Sequence, residues 1–339
     1  MLRLRRGVLT EVRPPAPGTT FAELSVDCGG QRRPAIADET LVGECRAGDD
    51  VVVNVEAVEL GLGSGGRDIV LVNLTRGLDA PAAGADHVMK LNYTPLQHSV
   101  GPVEATDLQR PDSGAVAVFQ LHAQLPCIAW SAAQAQPGIR LGYVQTAGGA
   151  LPGGMSRTVA ELLDRGLICD HITAAPAYGG RGESLSAIGA MQAGLVERGW
   201  HAAVAGPGPG IIGSATALGH GGMAALDTAH ASLALGLTTV LAARASSGDG
   251  RERHQGISHH TRTVLGLLLA PVRVGLSPGA PRVPELELHE VTERTVDVDG
   301  YVSSGLPSRT MGRSASADAM FFEQALAAGA ELAASLASG

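Results

Sequence analysis

The sequence predicts an α/β protein: a small N-terminal all-β barrel of the SH3 or OB kind, then a larger domain with a mainly parallel sheet flanked by helices. Three observations carry this. Residues 1–78 hold short β-rich runs separated by glycine and proline turns. From about residue 90 the pattern changes to apolar runs alternating with amphipathic helical segments, and the second domain is read over 90–335. The 339 residues are 45% hydrophobic and 17% charged, which is a chain able to bury a large core.

In the first domain the strand runs are "GVLTEV", "FAELSVDC", "RRPAIA", "DDVVVNVEAV" and "RDIVLVNL", with turns at "PPAPGTT", "CGG", "RAGDD" and "GLGSGG". Five short strands at this spacing suit a small barrel, read as a structural or oligomerising cap that leaves room for a homo-oligomer. The segment "TRGLDAPAAGADHVM" reads as a linker. In the second domain "AVAVFQL", "RLGYVQT", "DHITAAP", "HAAVAG" and "TTVLAAR" are continuous apolar strands, as a sheet covered on both faces requires. Helices are expected at "MSRTVAELLDRG", "ESLSAIGAMQAGLVERG", "ATALGHGGMAALDTAHASLALG" and "HTRTVLGLLLA". Further strands are expected in "VPELELHEVTERTVDV" and an Ala-rich helix over 315–337, with a frayed "ASG" end.

Charge and composition narrow the function classes. A net charge of −8, with "RLRR" at residues 3–6 as the one basic cluster, argues against a nucleic-acid partner. That cluster reads as a solvated strand edge. The most apolar stretch, "TVLGLLLAPV", is too short to span a bilayer, and no apolar segment follows the N-terminal arginines, so neither a membrane partner nor a secretion signal is expected. Cys28, Cys45, Cys127 and Cys169 are widely spaced with no CxxC pair, which fits reduced thiols in a cytoplasmic protein.

In parallel sheets the ligand sits at the carboxyl ends of the strands, where strand order reverses. Chemistry is therefore expected in the segment after each apolar run. After the first comes His122. After the second, Gly148 and Gly149 lead towards Ser156, a helix N-cap, and Arg157 in the first turn, a combination that suits an anion. After the fourth comes "AGPGPGIIGSAT": Gly206, Gly208, Gly210 and Gly213 are stiffened by two prolines, and Ser214 and Thr216 add hydroxyls before an expected helix. A backbone loop of this kind suits a phosphate or carboxylate. It lacks the lysine of a nucleotide phosphate loop. "GPGIIG" fits the dinucleotide glycine spacing, but it follows a late strand and no acidic residue comes after it at a strand end.

After the fifth run comes "RERHQGISHHTRT". Ser258 caps a helix beginning at His259, which keeps His259 and His260 neutral by the positive end of the helix dipole. Adjacent helical positions point about 100° apart, so His259 and His260 are not expected to face one site. His122, His259 and His260 are the acid–base candidates. His254, His259 and His220 are the candidates for a divalent metal, with Asp249 as an added acid; the cofactor is otherwise open. His98, His171 and His230 read as structural. No Ser-His-Asp set or GxSxG elbow can be assembled.

"MKLNYTPLQ", "GGALPGGMSRTV", "AGPGPGIIGSAT" and "RERHQGISHH" together resemble an uncharacterised bacterial family, domain-of-unknown-function family 3866, from "RRGVLTEV" to about residue 290. The resemblance implies a soluble bacterial protein and carries no activity, cofactor or catalytic residue. It also implies Asp where this chain has Ala147, and G-T-G-T at Gly213, Ser214, Ala215 and Thr216. A role for that acid does not transfer here, whereas a backbone anion site does. The residues themselves point to a hydrolase or transferase acting on a small phosphorylated or carboxylated metabolite, or to a non-catalytic protein that binds one.

Overall fold

The computed structural model describes residues 2–62, 65–78 and 88–337. Residues 79–87 of the expected linker and 338–339 of the expected frayed end lie outside the described residues. The chain divides into two compact units, Met1–Val100 with Gly154–Ala160, and Gly101–Gly153 with Glu161–Gly339.

In the first unit all five expected runs are strands: β1 (Leu4–Arg13), β2 (Phe21–Cys28), β3 (Gln31–Asp38), β4 (Asp50–Asn54) and β5 (Asp68–Asn73). They close in the order β1-β2-β3-β5-β4. Alternate side chains of these strands, among them Leu24, Val26, Ala35, Val51, Val53 and Val70, fill the interior. The basic cluster lies on the stretch of β1 that pairs with β4 alone, since pairing with β2 begins at Val8. Arg3 and Arg5 reach Glu59, and Arg6 reaches Asp50, as solvent-exposed ion pairs. A short hairpin, β6 (Val88–Lys90) with β7 (His98–Val100), belongs to the same unit.

The second unit is built on β8 (Ala115–Val118), β9 (Leu141–Thr146), β10 (Asp170–Ala174), β11 (Gly182–Ser184), β12 (Ala202–Pro207) and β13 (Thr238–Leu241). After a separate antiparallel pair, β14 (Ala245–Ser246) and β15 (Gly256–Ile257), come β16 (Arg273–Leu276) and β17 (Glu290–Glu293). Eight strands form one sheet in the order β11-β10-β9-β12-β8-β13-β16-β17, every pairing parallel. All four residues of β8 and all six of β9 and of β12 are buried, as their unbroken apolar runs require. No helix among the described residues is long and apolar enough to cross a membrane.

Several helices begin or end elsewhere than expected. The segment over 215–236 is helical only from Ala224 to Ala234 (with a 3-10 turn before it), because Gly219, Gly221 and Gly222 interrupt the Ala/Leu pattern. Glu183 and Ser184 join the edge strand β11, and the helix Ala187–Gln192 continues as a π-turn over Ala193–Glu197. Within the 283–298 segment, Glu290–Glu293 is a strand and Pro284–Leu288 a 3-10 turn. One unexpected helix, Leu125–Ala135, packs on the C-terminal helix Ala319–Leu336. Gly329 permits this contact, since a Cβ there would lie 2.4 Å from the Ile128 carbonyl oxygen. Gly329→Val is expected to cost about 1–3 kcal/mol by pushing the helices apart. It would be read as a lower urea midpoint, and an unshifted midpoint contradicts the packing.

Candidate functional site

The sheet order sets the location. The chain leaves β8 for β9 on one side and later passes from β12 to β13 on the other, so strand order reverses about β8. Because all the strands are parallel, the segments after β12, β8 and β13 lie side by side at one rim. These segments carry His220, Gln120 and Arg244 respectively, and the chain after β13 continues to His254, His259 and His260.

The loop after β12 is shaped by contact between backbones. Gly149 bridges to Ile211, and Gly213 bridges to His220. Cβ atoms added at Gly148 and Gly149 would fall 2.3 Å from the Gly221 carbonyl oxygen and 2.2 Å from that of Gly208. One at Gly208 would fall 2.4 Å from the Gln145 side chain, and one at Gly206 would run into the Phe119 ring. Gly148 and Gly210 also have left-handed φ values of 102° and 80°. The glycines thus let the loops after β9 and β12 interlock. Ser214 and Thr216 do not precede a helix, which corrects the sequence reading. Their hydroxyls lie 2.8 Å apart, and they close a small turn by bonding the Gly219 carbonyl and the Gly219 N–H. That turn delivers His220.

Four imidazoles gather there. The His220 ring stacks on His260 with centroids 3.5 Å apart, His259 lies 4.3 Å from His260, and His254 lies 4.9 Å from His259. The expectation that His259 and His260 cannot share a site is therefore corrected. Ser258 does cap the helix His259–Leu267, accepting from the His260 N–H. Helical Cα–Cβ bonds tilt towards the N-terminus, so two first-turn side chains can meet beyond the helix end instead of diverging around its axis. Asp249, offered as an added metal ligand, is instead held by Arg251 and Arg313. Asp318 binds Arg313, Ser246 and the amides of Ser247 and Gly248.

Two residues outside the expected set complete the group. Buried Gln120 donates to the His260 carbonyl at 3.0 Å and accepts from the Thr261 hydroxyl at 2.7 Å. Arg244 is 7% exposed, and its Nη1 donates to His260 Nδ1 at 2.8 Å. No carboxylate among the described residues forms an ion pair with it; Asp249 attracts it at longer range, while Arg251, Arg313 and Arg253 repel it. Burial, then Arg251, lowers its pKa to about 10, so it stays cationic at neutral pH. A lone arginine closing the apolar run "TTVLAAR" is the signal that sequence reasoning passed over.

Every histidine of the group is held neutral. Burial, followed by the Arg244 charge, lowers His254 to about 3 and His260 to about 2. Burial is also the leading cause of the lowered pKa values of His220 and His259. The tautomers follow from the partners. An arginine can only donate, so His260 Nδ1 is an acceptor and its proton lies on Nε2. A carbonyl can only accept, so His220 Nε2 carries the proton that reaches the Ala217 oxygen at 3.0 Å. His254 Nδ1 pairs with the Ser258 hydroxyl at 2.8 Å. His220 Nδ1 and His259 Nε2 are buried without a hydrogen-bond partner among the described residues.

Nitrogens of His220, His259 and His260 lie within 4.8 Å of one another, close enough to surround a metal ion. The surroundings oppose one. A metal-bound imidazole donates its second N–H to an acceptor, and His220 has such an acceptor in Ala217. His260 instead faces the Arg244 donor, so ligation through Nε2 would point two N–H groups at each other.

The remaining sequence candidates lie elsewhere. His122, with its pKa lowered by burial to about 4, stands against Tyr143 with Nδ1 3.3 Å from the Pro207 carbonyl. Tyr143 in turn stacks on His171, whose Nε2 is 3.2 Å from Gln145 Oε1. Ser156 caps its helix as expected, accepting from the Val159 N–H. Ser156 and Arg157 belong to the barrel's unit, where Arg157 pairs with Glu23 and lies over Phe21. His230 accepts from the Leu269 N–H.

No curated protein and no solved structure matches this chain. The sequence model of a family described as proteins of unknown function, DUF3866, matches residues 34–329, and with that span this chain belongs to the DUF3866 family.

Proposed function

We propose that this protein is an enzyme, a hydrolase or transferase, acting on a small phosphorylated or carboxylated metabolite. Its imidazole cluster would supply acid–base catalysis. Arg244 carries the reading. A guanidinium taken out of water is costly unless an anion pairs with it; no described carboxylate forms an ion pair with Arg244, and Asp249 attracts it only at longer range, while paired with Arg251 and Arg313. Among the neighbours of Arg244, His220 and His259 are neutral imidazoles that each have a buried nitrogen without a partner among the described residues, open to accept a proton at neutral pH. In this reading the glycine-rich loops after β9 and β12 position His220, and His259 and His260 complete the acid–base set.

A thermal-shift screen of phosphorylated and carboxylated metabolites, followed by turnover assays on each hit, tests this. A hit at a hundred times its Kd should stabilise the fold by about 2.7 kcal/mol. Arg244→Gln should remove the shift. His259→Ala and His260→Ala should each abolish turnover while the protein stays folded. Stabilisation without turnover would make the chain a metabolite-binding protein, and full activity in both histidine variants overturns the catalytic assignment.

A further inference from the structure

We infer that the ligand of this site is an oxyanion bearing its own hydrogen-bond donor, which His220 Nδ1 receives. The inference rests on the anion reading above and adds the ligand's chemistry. Two groups at the cluster can only donate outward. They are the Arg244 guanidinium, with N–H groups beyond the one on His260, and His260 Nε2–H, fixed as a donor because Nδ1 accepts from Arg244. These suit the oxygens of a phosphate or carboxylate.

His220 is the opposite. Its Nε2–H is committed to the Ala217 carbonyl, so Nδ1 presents a lone pair, and that atom is buried with no partner among the described residues. His259 Nε2 is likewise unpartnered. An oxyanion without protons offers only lone pairs, which would face the His220 lone pair and leave it unsatisfied. A ligand that meets both demands carries a negative oxygen and an O–H or N–H in one small molecule. A hydrogen phosphate ester or a hydroxy acid is of this kind. His259 is the least buried of the four histidines.

A metal ion would also satisfy the two unpartnered nitrogens, but it would sit in the field of Arg244, Arg251 and Arg253, each of which already depresses the pKa of His259. Those charges favour an anion and oppose a divalent cation.

The test is binding of inorganic phosphate and of sulfate to the full chain at neutral pH and fixed ionic strength, by calorimetry. The two ions are alike in shape, but phosphate retains a proton and sulfate has none. Phosphate should bind at least about tenfold more tightly than sulfate. His220→Ala should bring phosphate down to the sulfate level and leave sulfate unchanged, whereas Arg244→Gln should weaken both. Equal affinity for the two ions in the wild type overturns the inference while leaving the anion reading standing, and this comparison needs no variant to fold. Failure of both ions to bind removes the anion reading itself. One equivalent of zinc bound to the wild type and lost in His259→Ala overturns the inference in favour of a metal centre.

Discussion

Acidification from pH 6.5 to 5 is expected to remove roughly 3 kcal/mol of folding stability. His254 and His260 titrate near 3 and 2 in the folded protein, against 6.5 when unperturbed. Below 6.5 the unfolded chain takes up protons at both positions while the native chain refuses them. The stability that depends on these groups is thus complete above 6.5 and is lost as the pH falls towards 3. Each histidine contributes a slope that rises from about half of 1.4 kcal/mol per pH unit at pH 6.5 to about the full value near pH 5. His122, at about 4, acts in the same direction. Urea denaturation between pH 7 and pH 5 reads the effect mostly free of carboxylates, since Asp249 and Asp318 are lowered and stay ionised there. The double variant His254→Gln/His260→Gln should show a much flatter profile. A wild-type profile that is already flat over this range would mean that the two imidazoles are not buried neutral.

Gly148→Ala is expected to cost about 3 kcal/mol and to abolish phosphate binding. Two penalties combine at this position. The backbone has φ 102°, which a side chain disfavours, and the new Cβ would lie 2.3 Å from the Gly221 carbonyl oxygen. The colliding atom is backbone, so it cannot rotate away, and the strain passes to the neighbouring His220. Gly166→Ala separates the two terms, because Gly166 has φ 67° with nothing within 4 Å of an added Cβ. That control should lose about 1 kcal/mol and keep its binding. Equal losses in the two variants would show that the interlocked loops contribute nothing.

Much of this architecture is legible in the chain itself. The five barrel strands and five of the parallel strands announce themselves through alternation or through continuous apolar runs, because burial on one face or two writes those patterns directly. The helix Leu125–Ala135 does not, since "LPCIAWSAAQA" has few polar positions to reveal a period, and seven of its residues are buried. Strands β11, "GES", and β16, "RVGL", do not register because neither holds a continuous apolar run. "ATALGHGG" reads as helix by composition, but its glycines, Ser214 and Thr216 close a turn instead.

By itself the sequence determined a barrel followed by a parallel α/β sheet, and three of the four clustered histidines as neighbours along the chain after the fifth apolar run. Only the tertiary structure decided that His220 joins them, that His259 and His260 converge, and that Arg244 stands among them with no ion-paired carboxylate among the described residues. Periodicity reports which side of an element is buried. Which loops meet depends on the order of strands in the sheet, and here β12 and β13 flank β8, bringing together side chains from residue 120 to residue 260.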